Sequence, residues 1–399
     1  MTEKHLYNFS YLDVINKCIV PNAYMKIEDG WIKEIATLDE ETDIDLKQAT
    51  DMEGKFISPG LFNIHTHALS TPIAAPASLN YEEAAKISLR GYAHLLEHLS
   101  SGVVFVRDLN GRKQAEIELR NAIEEGILIG PHYQVCRQCL VMTGGHGSNT
   151  GFECDGELEC AKAARLQIKH GADFIKIMAT GGIMSEGSEK NSELTEAEMR
   201  AAIEVAHAAG KKTATHAHGS QGIMNAVRAG IDSVEHGTYL TDEIIELMIE
   251  KGTALVPTLT VSTNLLNASN KSGVAQFQIE KSIKAQSAHI ESFKKAWEAG
   301  ILIGLGTDAG TPLNSHRDTW REFAEMVNLG CDPFEVMRVG TINSAKIVGV
   351  DHELGSLEAE KRADFVVLDE DPTKNIKTLK NPVATYLGGK QFIPPALLD

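Results

Sequence analysis

The chain has 399 residues, 43% of them hydrophobic and 23% charged, with a formal net charge of −17. That acidic balance argues against nucleic acid as a partner, because phosphate binding needs a basic face. No apolar run approaches the roughly 20 residues that cross a bilayer, and MTEKHLYNFSYLDV lacks the basic-then-apolar layout of a secretory signal. The expectation is a cytoplasmic protein with one large α/β domain and an accessory domain, assembled as a homo-oligomer by default.

In chain order, residues 1–56 alternate apolar and polar and carry the turn signals EDG and DMEG. KFISPGLFNIHTHAL then opens a repeating pattern in which a helical stretch ends in glycine and a short β-rich run follows. The junctions read SSGVVFVRD (Gly102), EEGILIGPHYQV (Gly126), KHGADFIKIMA (Gly171) and AAGKKTATHAHG (Gly210), then RAGIDSVEHG (Gly230), EKGTALVPTLT (Gly252) and EAGILIGLGTD (Gly300). Glycine suits the left-handed residue that closes a helix. Three helices stand out: Thr195 and Glu198 form a capping box, Thr241 opens TDEIIELMIEKG, and GYAHLLEHLSSG has a helical apolar period. Eight strand–helix alternations predict a (β/α)8 TIM barrel over 57–350. The tail, with ADFVVLDEDP and PVATYLGGKQF, is again strand and turn. Neither end alone has enough apolar surface for a core, so 1–56 and 351–399 are expected to pair as a discontinuous β-sandwich.

Chemistry-bearing residues close the strand-like runs. His65 and His67 are two apart, so in a strand both imidazoles face one way. His216 and His236 end two later runs, giving four imidazoles at one rim; neutral imidazole is a common zinc ligand. Lys176 sits in the apolar run FIKIM, where burial disfavours an ammonium. A lysine paired with a carboxylate is the bland alternative. Beside four histidines, however, a cation repels metal unless it reacts with CO2 to give an anionic carbamate, which offers two oxygens to two ions. Asp308 in GLGTDAG has the chemistry of a metal ligand and general base toward a bridging water or hydroxide, against a helix-capping role.

Secondary candidates are weighed the same way. His146, on the glycine-rich loop TGGHG, is a candidate to polarise the scissile carbonyl or hold a carboxylate, against a turn histidine. His218 projects like His216 and is a candidate supporting residue. Tyr239 and Arg107 are candidates to bind a substrate carboxylate, Arg107 against a structural salt bridge. His94 and His98 read as a surface or packing pair. Glu186 and Glu189 read as solvated surface charges. Cys136, Cys139, Cys154 and Cys160 read as reduced thiols, because their spacing is loose for a zinc knuckle.

The six residues, with the SPGLFNIHTH opening and the GSLEAEKRADFVVLDEDP tail, resemble the amidohydrolase superfamily in its binuclear, carboxylated-lysine subtype, over nearly the whole chain. The resemblance implies one divalent ion held by His65, His67 and Asp308 and another by His216 and His236. A carboxylated Lys176 and a hydroxide lie between them; zinc suits such ligands, although manganese, cobalt or iron also occupy them. FIKIMATGGIMS, THAHGSQGIMNAVRAG and SVEHGTYL are similar to prolidase-like dipeptidases, which cleave Xaa-Pro, Xaa-Arg or related N-acyl amino acids. The rival is a cyclic-amide hydrolase or deaminase of the imidazolonepropionase-like type. Such enzymes commonly use one metal and lack the bridging lysine, so Lys176 counts against it.

Overall fold

The structure is a computed structural model that describes residues 3–39, 42, 47–73, 82–266 and 273–394. Strands and helices alternate: β1 (Leu61–Thr66), α1 (Ala84–Ser100), β2 (Val103–Asp108), α2 (Ala115–Glu124), β3 (His132–Val135), α3 (Glu157–Lys169) and β4 (Ile175–Met178). The series continues with α4 (Glu196–Ala208), β5 (Thr213–Ala217), α5 (Ser220–Ala229), β6 (Ser233–His236), α6 (Asp242–Lys251), β7 (Ala254–Val256), α7 (Leu259–Leu266) and α8 (Gln276–Glu298). The capping box at Thr195 is formed, and Thr241 caps α6 as expected. Gly230 and Gly252 close α5 and α6 at φ 98° and 70°, which a β-carbon would strain.

Regular pairing is all parallel here. One sheet joins β1, β2 and β3. A second joins β4 to β7 in order and continues past β4 through Leu140–Val141 and Phe152–Glu153. Parallel strands need both faces covered, and these run almost wholly buried, with the helices packed outside. No closed ladder is formed among the described residues. The eighth run is an extended segment, 301–309, tied by isolated bridges: Leu255 N–H to Leu302 O (3.0 Å) and Gly304 N–H to Leu255 O (2.9 Å) on one side, and Ile64 N–H to Leu305 O (2.8 Å) and Asp308 N–H to His65 O (2.7 Å) on the other. Glycine at 304 and 306 suits this tight passage; a β-carbon at Gly306 would meet the His65 β-carbon at 2.4 Å. Among the described residues no helix is long and apolar enough to cross a membrane.

The chain ends do combine, but as a single eight-stranded sheet where two stacked sheets were expected. The sheet curls back on itself: Ile32 N–H reaches Lys361 O (2.8 Å) and Ala363 N–H reaches Gly30 O (2.9 Å). This encloses a core of its own, including Leu6, Met25, Ile32, Phe365 and Tyr386. Phe56–Pro59 pairs with both terminal segments and leads through Gly60 into β1, so this sheet reaches a few residues past position 56.

Candidate metal centre

The strands of a parallel α/β sheet deliver their C-terminal residues to one rim, where loops leave space for ligands. Here that rim surrounds a cavity of about 210 Å³, lined among others by His65, His67, His146, Lys176, His216, His218, His236 and Asp308. All six predicted ligands therefore meet. The ends of β6 and of segment 301–309 turn sharply: His236 and Asp308 are non-glycine residues at φ 70° and 59°, as is Thr258 at 54°. Such backbone costs of order 1–3 kcal/mol per residue and clusters at functional sites.

Ligand atoms gather in two groups. His65, His67 and Asp308 offer atoms all within 4.8 Å of one another, and so do His216, His218 and His236. The His65 and His236 rings, 4.9 Å apart, join the groups. Asp308 Oδ1 lies 3.0 Å from His67 Nε2 and 3.4 Å from His65 Nε2, yet it is buried and has no partner in hydrogen-bonding geometry among the described residues. Ligand atoms that converge on a point without bonding one another suit a cation at that point.

Lys176 lies on β4, where Ile175 and Ile177 join the apolar core and the lysine turns to the cavity. It is 2% exposed, and its Nζ has no hydrogen-bond partner among the described residues. Burial, helped by Arg107, lowers its pKa against the pull of Glu235. An unpaired buried ammonium is expensive; a carbamate facing cations is not.

The His65, His216, His218 and His236 imidazoles are oriented from behind. His65 Nδ1–H donates to Glu235 Oε2 (2.8 Å), leaving Nε2 toward Asp308. Glu235 Oε1 accepts from Arg107 Nη2 and Ser233 Oγ, both at 2.8 Å. Burial alone would raise the Glu235 pKa; the Arg107 charge and the His65 bond outweigh it and hold it at about 2. His236 Nδ1–H donates to Thr258 Oγ1 (2.7 Å), and His216 Nε2–H to Gly181 O (3.3 Å), leaving His216 Nδ1 for the cavity. Burial, then neighbouring imidazoles, push His216, His218 and His236 well below the ordinary histidine value, into the neutral form that binds metal. Burial likewise opposes ionisation of Asp308, but His65 and His67 hold it well below the usual carboxylate range.

The remaining candidates divide. His146 lines the cavity with its ring 4.4 Å from His216, its Nδ1 paired with Ser185 Oγ (3.1 Å), and its pKa lowered by burial to about 4. His218 stands within a ligand group, closer to the chemistry than a supporting residue. Arg107 is not at the cavity wall. It is 1% exposed and spent on Glu235 and on Ile64 O (2.7 Å), because its strand position points into the barrel below the rim. Tyr239 is also off the lining; its hydroxyl donates to Glu189 (3.1 Å). Glu189 is buried, so of these two glutamates Glu186 alone is a solvated charge. His94 and His98 are both buried and pack on His316. No cysteine is bridged: Cys18 is exposed and the other five are buried thiols.

Sequence reasoning missed Glu235, His289 and Arg112. Glu235 adjoins His236 in SVEHG, and a carboxylate beside a ligand histidine was the available signal. His289, on α8, donates to Pro257 O (2.8 Å) and lines the cavity, with no local motif to mark it. Arg112 follows β2 by four residues and also lines the cavity.

Two imidazole-rich groups and a buried lysine at such a rim define the class: a candidate metal centre of a hydrolase. The chain belongs to the amidohydrolase family, whose profile matches residues 56–392. It is 31% identical over 420 aligned positions to ochratoxinase from Aspergillus niger, covering 94% of this chain and 84% of that protein. Among solved structures it is similar to a Xaa-Pro dipeptidase with methionine bound in the active site, with a TM-score of 0.91 and 28% identity over 98% of this chain and all (100%) of that one. It is similar, too, to a prolidase complexed with N-methylphosphonate-L-proline, with a TM-score of 0.91 and 27% identity over 99% and 100% of the chains. The chain is thus a hydrolase acting on carbon–nitrogen bonds.

Proposed function

We propose that this hydrolase uses two divalent ions, most simply zinc, to cleave the amide bond of a dipeptide or N-acyl amino acid. The observation that carries the reading is Lys176: a buried amine with no hydrogen-bond partner among the described residues, opening onto the cavity that both ligand groups share. His65, His67 and Asp308 would hold one ion, His216 and His236 the other, and a carbamate formed from CO2 on Lys176 would reach both. Bound ions would supply a Lewis acid for the carbonyl and a water acidified toward neutrality. Asp308, kept ionised by its histidines, is the general base: it takes the attacking water's proton and returns it to the departing amine nitrogen as the C–N bond breaks. His146, whose Nδ1 is engaged by Ser185, has Nε2 left to hydrogen-bond the substrate. His218 completes the second ligand group or orients the substrate beside it.

The test is a panel of dipeptides and N-acyl amino acids, assayed for released amine after loading the chain with zinc and bicarbonate. Turnover is expected for some members, with loss on chelation and in Asp308→Asn. A chain carrying two ions that hydrolyses no member contradicts the reading. One equivalent of metal and an unmodified Lys176 would instead favour the imidazolonepropionase-like alternative.

A further inference from the structure

We infer that Glu322 is a positioning residue for the second ligand group: it caps helix α7 from outside and so leaves Thr258 to fix which ring nitrogen of His236 faces the cavity. The inference rests on the metal-centre reading above, because it concerns how one proposed ligand is held.

Helix α7 starts at Leu259, and the first N–H groups of any helix lack partners within it. The residue immediately before it is Thr258, of a type that ordinarily caps the helix it precedes. Thr258 does not. Its φ is 54°, and its hydroxyl donates to Pro257 O (2.7 Å). With its one proton directed there, Thr258 Oγ1 can only accept from His236 Nδ1–H (2.7 Å), so His236 Nε2 is the ring nitrogen left for an ion. Pro257 O is pinned in turn by His289 Nε2–H (2.8 Å), which also reaches His236 O (3.1 Å). The segment that orients His236 is thus held on both sides, and the usual capping hydroxyl of α7 is diverted to a proposed ligand.

The cap comes instead from α9 (Trp320–Asn328). Glu322 Oε1 accepts from Leu259 N–H (2.7 Å), and Oε2 from Thr260 N–H (2.8 Å) and from the Thr260 hydroxyl. Both oxygens therefore meet the positive end of α7. Glu322 is fully buried and forms no ion pair with a cation among the described residues. Burial pushes its pKa up to about 7 against the pull of these bonds. A buried carboxylate without a cation is costly, and a helix that capped itself through Thr258 would need none. No α7 N–H reaches the Thr258 hydroxyl among the described residues. Without Glu322, the orphaned donors at the start of α7 would compete with His236 for that hydroxyl, and the proton on Nδ1 would lose its acceptor.

The experiment is a double-mutant cycle on the full chain, read by chelator competition for the zinc site that His236→Ala removes. Thr258→Val keeps the shape and removes the hydroxyl. Glu322→Gln keeps the shape but has one acceptor oxygen, so one α7 N–H loses its partner. Each should weaken zinc at that site at least about tenfold, whereas Thr258→Ser, which keeps the hydroxyl, should bind zinc as the native chain does. The double variant should be no weaker than Thr258→Val alone, because Glu322 acts through Thr258. Losses that multiply in the double variant, or unchanged zinc in Glu322→Gln, overturn the inference. Should Glu322→Gln not fold, Glu322→Asp, whose shorter arm cannot reach both N–H groups, takes its place. Nitrogen-15 NMR of the histidine rings reads the same link in the metal-free chain. The His236 ring, assigned by its absence from His236→Ala, should carry its proton on Nδ1 in the native chain and shift toward Nε2 in Glu322→Gln. That shift supports the inference even where only one ion binds or no amide is cleaved; a tautomer that Glu322→Gln leaves unchanged refutes it. Failure of the metal-hydrolase reading is thereby separated from failure of this one.

Discussion

Glu235→Gln is the most informative single substitution outside the ligand set. The carboxylate is fully buried and accepts from three donors: Arg107 Nη2, Ser233 Oγ and His65 Nδ1, each at 2.8 Å. A glutamine has one acceptor oxygen, so its NH2 must face either Arg107 or His65. Facing Arg107, it leaves a buried cation unpaired, which costs about 3–5 kcal/mol. Facing His65, it drives the proton from Nδ1 to Nε2 and removes that nitrogen as a ligand; carboxylates behind ligand histidines are typically worth about 10–100-fold in metal affinity. Urea unfolding of the metal-free chain and chelator-competition titration of zinc measure the two effects. A variant within about 0.5 kcal/mol of wild type, with unchanged zinc affinity, would refute the reasoning.

Three further outcomes are expected. Lys176→Met should stabilise the metal-free chain, because it removes a buried amine without a partner among the described residues, yet lower bound zinc from two equivalents to one or fewer; calorimetric unfolding and metal analysis check this. Gly182→Ala places a β-carbon 2.3 Å from the His146 ring; displacing that ring should cost about 100-fold in kcat/KM with the melting temperature little changed, as read by steady-state kinetics. For pH, burial lowers the pKa of His98 to about 3 and of His146 to about 4. Burial also holds His216, His218, His236 and His316 well below the ordinary value, which outweighs Glu116 and Glu322, raised by burial to about 7, so the unfolded chain binds more protons than the native one between about 6.5 and 4. Stability of the metal-free chain should fall with falling pH in that window by more than about 1.4 kcal/mol per unit, the slope for one proton, with Glu235 adding its loss between about 4.5 and 2. Unfolding titrations at stepped pH test the slope.

The ligands were legible because each ends a short apolar run, and a parallel sheet brings strand ends to one rim whatever their separation in sequence. His65 and Asp308 are 243 positions apart by their numbers, yet their ring nitrogen and carboxylate oxygen lie 3.4 Å apart. The layer behind them was less legible. Arg107 is the penultimate residue of β2 whereas His236 is the last of β6, and sequence does not fix strand ends closely enough to tell which position points to the rim and which to the interior. His289 comes from the middle of a 23-residue helix, where nothing in the local pattern marks a cavity-facing histidine. The terminal segments were legible as strands, but strand propensity does not say whether eight strands stack as two sheets or curl as one; here the backbone bonds between 30–32 and 361–363 decide it.

A modified amine joining the two ligand groups is the centrepiece of the proposed metal site. The direct measurement is carbon-13 NMR of the zinc-loaded chain equilibrated with labelled bicarbonate. One slowly exchanging carbamate resonance, present in the native chain and missing from Lys176→Arg, is predicted. A zinc-saturated native chain with no such resonance would contradict it.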